Sequence, residues 1–221
     1  MRKKLVSIFL ERLISNKIKN RNMKKERVYR EILHCVLEDR MRAFKQLELS
    51  KACKLSLSTV NYALKPLERM NAIEKRRFGF DVLDPKKILL YWASIRNLER
   101  DIVYQRYMNK PVDDIESEVP PRSIFTAYSA FKFKFKRVPS EYGEVFVYGV
   151  KDDFIKRFGK ENNQLKPNLI VLNLDEHLAK FKISPIAQVF VDLWNISSWY
   201  ARDFLKEMEE IIDGVLERYS S

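Results

Sequence analysis

Residues 55–83 read LSLSTVNYALKPLERMNAIEKRRFGFDVL. Within this stretch Val60, Ala63, Leu64, Leu67 and Met70 recur at the i, i+3, i+4, i+7 spacing of an amphipathic helix. Ser56 precedes it as an N-cap, a residue whose hydroxyl can satisfy a free amide of the first turn. Lys54-Leu55-Ser56 makes the turn from a shorter helix marked by Leu47, Ala52 and Cys53. Further upstream, Val28, Ile32, Cys35, Val36 and Leu37 repeat at helical spacing between Lys25 and Met41. Downstream, Asn71-Ala72 ends the third helix, and residues 73–83 alternate apolar and polar around Gly79, which predicts two short strands. Three helices followed by a hairpin carrying Lys75, Arg76 and Arg77 read as a winged helix-turn-helix over residues 23–83.

The charge supports that reading. Residues 1–80 hold 21 Lys/Arg and 8 Asp/Glu, a net of +13, whereas residues 81–221 hold 21 and 22, a net of −1. A cationic segment joined to a neutral one of nearly twice its length has the form of a nucleic-acid-binding module attached to something else. Seven of the basic residues lie in 1–22 beside a single acid. That extension reads as a solvated terminus ahead of Met23, with a basic arm on DNA as the alternative.

The second helix, the turn and the third helix can place the third in the major groove, which is wide enough to admit a helix. With Val60, Leu64 and Leu67 turned to the core, its other face presents Ser58, Thr59, Asn61, Tyr62, Lys65 and Arg69, and Ser56 to Arg69 form the groove-reading segment. Hydroxyls and the Asn61 amide suit base edges or phosphates, and Lys65 and Arg69 suit backbone charge. The free amides near Ser58 offer a phosphate site at a helix N-terminus. Lys75, Arg76 and Arg77 can straddle a phosphate strand or enter a minor groove. Pro66 in the helix interior predicts a bend, which either shapes the reading face or packs the helix against the wing.

Beyond the wing, Asp84-Pro85 opens a helix, Asp as N-cap and Pro at the first position. Ile88, Leu89, Trp92, Ile95, Leu98, Ile102 and Val103 extend it over about 84–108, so residues 84–110 read as a long connecting helix suited either to a homodimer or to packing between two domains. Residues 111–221 then read as a small α/β domain with a helical C-terminus. Its expected parts are a helix over 123–135, strands at 145–150 and 169–172, and a short helix over 151–158 between them. A helix from Ser184-Pro185 and a last one over about 198–216 complete it.

No catalytic constellation stands out there. Asp152-Asp153 and Asp175-Glu176 are paired acids near strand ends, where metal-dependent nucleases keep carboxylates, but helix capping is the more common use. The chain is therefore read as a non-enzyme, with nuclease-like activity as the alternative. The run FKFKFKR (131–137) is either a solvated helix edge or a second nucleic-acid contact. Cys35 and Cys53 lack metal-ligand spacing and read as reduced core residues. Two histidines, His34 and His177, are too few for a His-based metal cluster. No cofactor and no metal is implied. The apolar run 5–10 is too short for a signal peptide, and no stretch reaches the ~20 apolar residues of a membrane span, so a cytoplasmic protein without membrane contact is expected.

Two stretches resemble known families. Residues 55–93, ending DPKKILLYWA, resemble the winged helix at the head of archaeal transcriptional regulators. SIFTAYSAFKFKF (123–135) and SPIAQVFVDLWNISSWYARDFLKEME (184–209) resemble the C-terminal domain of the antitoxin of the abortive-infection type IV (AbiE) toxin–antitoxin system. The matching positions are Ser129-Ala130, Gln188-Val189, Val191-Asp192-Leu193 and Asn195. The resemblance implies a repressor that binds the promoter of its own operon as double-stranded DNA. It also implies a C-terminal domain that counters a nucleotidyltransferase-like toxin. The basic extension and the long 84–108 helix depart from that pattern.

Overall fold

The computed structural model describes residues 24–161 and 165–218. The extension 1–22 lies outside the described residues. Helix α1 covers residues 24–37. It is followed by β1 (Ala43–Phe44), α2 (Gln46–Cys53), α3 (Leu57–Arg69), β2 (Ile73–Arg76) and β3 (Gly79–Val82). β3 lies between β1 and β2, antiparallel to both. Lys54 closes α2 in the left-handed conformation, and the Ser56 hydroxyl accepts the Thr59 amide at 3.3 Å to start α3. Val60, Ala63, Leu64 and Leu67 are buried, as the stripe predicts. α3 ends in a Schellman arrangement. Asn71 takes φ 54, its amide donates to the Glu68 carbonyl, and the Ala72 amide donates to Leu67. Pro66 stands one turn before that end, and α3 continues past it to Arg69.

α4 spans Pro85–Ile95 and no further. The continuous 84–108 helix expected from periodicity is thus corrected. Arg96 leaves the helix with ψ 137, the Asn97 side chain accepts the Arg100 amide, and Ile102–Arg106 forms strand β4. Ile102, Val103 and Tyr104 are β-branched or aromatic and suit a strand, although their spacing continues the helical stripe. Next come α5 (Val112–Glu118), β5 (Ile124–Thr126), α6 (Ala127–Phe135), β6 (Val145–Gly149) and α7 (Lys151–Phe158). β7 (Leu169–Asn173), α8 (Ile186–Trp194) and α9 (Ala201–Glu217) complete the chain. The single helix expected over 123–135 is a strand followed by a helix, broken at Ala127 with φ 48.

The four-stranded sheet runs β4-β7-β6-β5, with only β6 and β7 parallel. It is therefore mixed, and it begins with β4, ahead of residue 111. Both faces are covered. Val145, Val147, Leu169 and Val171 pack with Ile115 and Phe154 of α5 and α7. Phe146, Tyr148, Ile170 and Leu172 face the opposite layer of α6, α8 and α9. That second layer is continuous with the winged helix, since one buried cluster runs from Val28 of α1 to Ile212 of α9.

α1 explains the continuity. Residues 28–33 are buried all round, so this helix is sandwiched rather than laid on a surface. On one side the Tyr29 hydroxyl donates to the Ala63 carbonyl of α3 at 3.0 Å. On the other, Arg30 donates to Gln188 Oε1 at 2.7 Å and pairs with Asp175 at 2.9 Å. Beside it Arg96 meets Glu26 at 3.0 Å and Asp192 at 3.3 Å, and also holds Asp101. Asp192 also accepts from Thr126 at 2.7 Å and from Tyr148 at 2.6 Å. Buried charges persist only when paired and hydrogen-bonded, and here Arg30–Asp175 and Glu26–Arg96 do so across the seam between the two halves.

Candidate nucleic-acid interface

The candidate reading face of α3 starts from a hydroxyl cluster at the helix N-terminus. Ser56 Oγ lies 3.0 Å from Ser58 Oγ and 2.8 Å from Thr59 Oγ1, a group of three hydroxyls around the first free amides of the helix. Ser58, Asn61, Tyr62, Lys65 and Arg69 are exposed and Thr59 half-buried. Asn61 has the donor–acceptor pair that matches adenine in the major groove, and Lys65 and Arg69 have charge for phosphate or guanine. Neither Lys65 nor Arg69 is held in an ion pair with a described residue. Lys25 of α1 places its ammonium 4.6 Å from the centre of the Tyr62 ring, which brings a further cation to this face.

The wing is differently disposed. Lys75 pairs with Glu68 of α3 at 2.7 Å. Arg76 pairs with Glu74 at 2.7 Å and Asp81 at 2.8 Å, and these two carboxylates raise its guanidinium above the usual arginine value. Arg77 is not in an ion pair with a described residue; its guanidinium lies 5.0 Å from the centre of the Phe78 ring. All ten residues expected from sequence thus lie at the surface of one module, Ser56, Ser58, Thr59, Asn61, Tyr62, Lys65 and Arg69 on α3 and Lys75, Arg76 and Arg77 on the wing. Two of the three wing cations are already answered by acids of the chain. Sequence reasoning missed Lys25, because only the packing of α1 on α3 brings it near Tyr62. It also missed the partners Glu68 on α3, Glu74 on the same strand as Arg76, and Asp81, which the β2–β3 register brings across.

The remaining charged motifs are used internally. Lys132 pairs with Asp113 at 2.5 Å and Glu116 at 2.7 Å, Lys134 with Glu38 at 2.6 Å and Arg137 with Glu207 at 2.6 Å, which leaves little free charge on the FKFKFKR run. Asp152 and Asp153 occupy the first turn of α7, and Asp175 binds Arg30 and the amides of His177 and Leu178. Burial pushes the Asp175 carboxyl up, but Arg30 and the Leu178 amide bring it down to about 2. Among the described residues no group of three or more His, Cys, Asp or Glu is placed to hold a metal ion. His177 is buried, its Nε2 2.8 Å from Glu31 and its Nδ1 3.1 Å from Arg30. Cys35 and Cys53 are free thiols, each pushed up to about 12 mainly by burial.

Residues 45–74 match a family model described as winged helix-turn-helix DNA-binding. The match covers α2, the turn, α3 and the start of the wing, so the chain carries a winged helix-turn-helix DNA-binding domain. No curated protein and no solved structure matches the chain. No helix among the described residues is long and apolar enough to cross a membrane.

Proposed function

We propose that this protein is a sequence-specific, double-stranded DNA-binding transcriptional regulator that represses its own promoter. The observation that carries the reading is the face of α3. Ser58, Asn61, Tyr62, Lys65 and Arg69 share one exposed surface, with Lys25 and Arg77 as further cations uncommitted to any acid of the described chain. Base-reading groups and unpaired positive charge are what groove recognition requires. Residues 81–221 carry a net of −1, so DNA affinity is assigned to the cationic N-terminal part of the chain.

The AbiE-antitoxin likeness belongs to the same proposal, with a nucleotidyltransferase-like toxin as the functional counterpart and a homodimer as the DNA-bound form. Several positions that carry the likeness have structural work in this chain. Gln188 and Asp192 hold Arg30 and Arg96, and Asn195 donates to the Ala93 carbonyl at 3.1 Å. They account for how the α/β half is attached to the reading head rather than for chemistry on a substrate.

The test is binding of the full chain to the duplex upstream of its own gene and to random duplex, at two salt concentrations. Tighter binding to its own promoter that survives the higher salt supports a self-regulating repressor. Equal, weak binding lost at moderate salt reduces the charge to general nucleic-acid affinity and overturns the proposal.

A further inference from the structure

We infer that the wing distorts the DNA it contacts, with Phe78 acting as a wedge that enters a base step and kinks the duplex. The inference rests on the DNA-binding reading and deepens it, because it concerns what the wing does once the duplex is bound.

Arg76 and Gly79 are register partners, so only Arg77 and Phe78 connect β2 to β3. Loops this short usually carry Gly, Asn or Asp, which tolerate positive φ and like water. Here neither loop residue takes a positive φ; that conformation falls on Gly79, at φ 151. Phe78 is 75% exposed at the tip, although Phe80, two residues on, is buried and stacked on Phe44 at 5.4 Å. One phenylalanine therefore anchors the hairpin and the other is held out in solvent. A single exposed apolar residue is ordinary on a protein surface. Here the ring stands at the tip of the hairpin that flanks α3, and its setting is fixed on both sides.

Below it, a Cβ on Gly79 would meet the Phe44 carbonyl oxygen at 2.0 Å, so backbone packs directly on backbone and the tip is carried on a stiff base. Beside it, Arg77 lies against the ring at 5.0 Å, with no ion pair to a described residue. A cation able to reach the minor-groove edge together with an apolar wedge is the pair of groups used to unstack a base step and bend the helix axis. The energy required is least at pyrimidine–purine steps, so the geometry points to a TA or CA step under the wing.

The experiment uses the full chain and short duplexes selected by it from a random pool. These carry 2-aminopurine at each A·T position in turn and a donor–acceptor dye pair at the two ends. The wild type should raise 2-aminopurine fluorescence at one step and bring the ends closer. Phe78→Ala should bind roughly tenfold more weakly, give neither signal, and keep the salt slope, since no phosphate contact is lost. Phe78→Leu should retain both signals, because leucine also serves as a wedge. A wild-type complex whose duplex stays straight and stacked at every position overturns the inference, as does Phe78→Ala distorting DNA like the wild type. Failure of the wild type to select any duplex overturns the DNA-binding reading itself, and the inference falls with it.

Discussion

His177 is fully inside the protein, flanked by a carboxylate on one ring nitrogen and a guanidinium on the other. With Nδ1 facing Arg30, that nitrogen accepts and Nε2 donates to Glu31, which is the neutral tautomer. Burial lowers its proton affinity, Glu31 opposes this, and Arg30 and Lys180 lower it further, with a net downward shift. The unfolded chain therefore binds the proton first, and stability must fall as pH drops below the ordinary histidine value of about 6.5. Glu31 and Asp175, each held at about 2 against the upward push of burial, act with the same sign at lower pH, between the ordinary carboxylate range and about 2. Glu26 runs the other way: burial raises it, so its contribution favours the fold in acid and is lost as pH rises through that raised value. The melting temperature is expected to fall between roughly pH 7 and roughly pH 5, and His177→Gln should melt lower at neutral pH but flatten that slope. An unchanged slope in the variant would remove His177 from the account. Gly79 supplies the second test at this scale. Any side chain there collides with Phe44 and must adopt φ 151, so Gly79→Ala should cost about 1–3 kcal/mol in denaturant unfolding.

Among the elements, the wing carries the clearest contrast. Arg77 is free to answer a phosphate, whereas Lys75 must first leave Glu68. Arg77→Ala should lower the slope of log affinity against log salt by about 0.9, and Lys75→Ala by less. Equal effects would mean that the Lys75–Glu68 pair dissolves on binding, as exposed pairs readily do. The helix-turn-helix was legible because each part has a local signature: the Val60–Leu67 stripe, the Ser56 cap, the Asn71 terminus and the Gly79 turn. β4 and β5 were not. Ile102 and Val103 prolong the apolar spacing of α4, and only pairing with β7, whose partners lie far along the chain, turns them into a strand. β5 is three residues long and runs directly into α6, so its period is too short to detect. The exposure of the candidate residues was legible in the helical stripe and the hairpin pattern, but their ion pairs were not, because Lys75 meets Glu68 through the packing of the wing on α3 and Arg76 meets Asp81 through the β2–β3 register.

For the molecule as a whole, the continuous core and the buried ion network argue against two independently melting bodies. Calorimetry of the full chain should show one cooperative transition, with near-ultraviolet and far-ultraviolet dichroism coincident. Two separated transitions would mean that the contacts of α1 with the α/β half contribute little. Residues 23–80, with 14 Lys/Arg and 7 Asp/Glu, form a cationic reading head whose inner helix is locked to a nearly neutral body. The angle at which α3 is offered to a groove is therefore set by residues of α8 and of the 175–177 turn, none of which need touch DNA.

The bond between Arg30 and Asp175 also constrains inheritance. The two residues lie 145 positions apart, yet exchanging Asp175 alone strands the Arg30 guanidinium in the interior, and exchanging Arg30 alone leaves Asp175 only Arg27 of the same helix, at 3.5 Å. A recombination event that brought in a foreign reading head would leave Asp175 and Gln188 without their partner, and the hybrid would be selected against before its DNA preference was ever tried. Descendants of this chain should acquire new binding sites by point changes on the outer face of α3, while the inner face of α1 and the α8 positions opposite it change together or not at all.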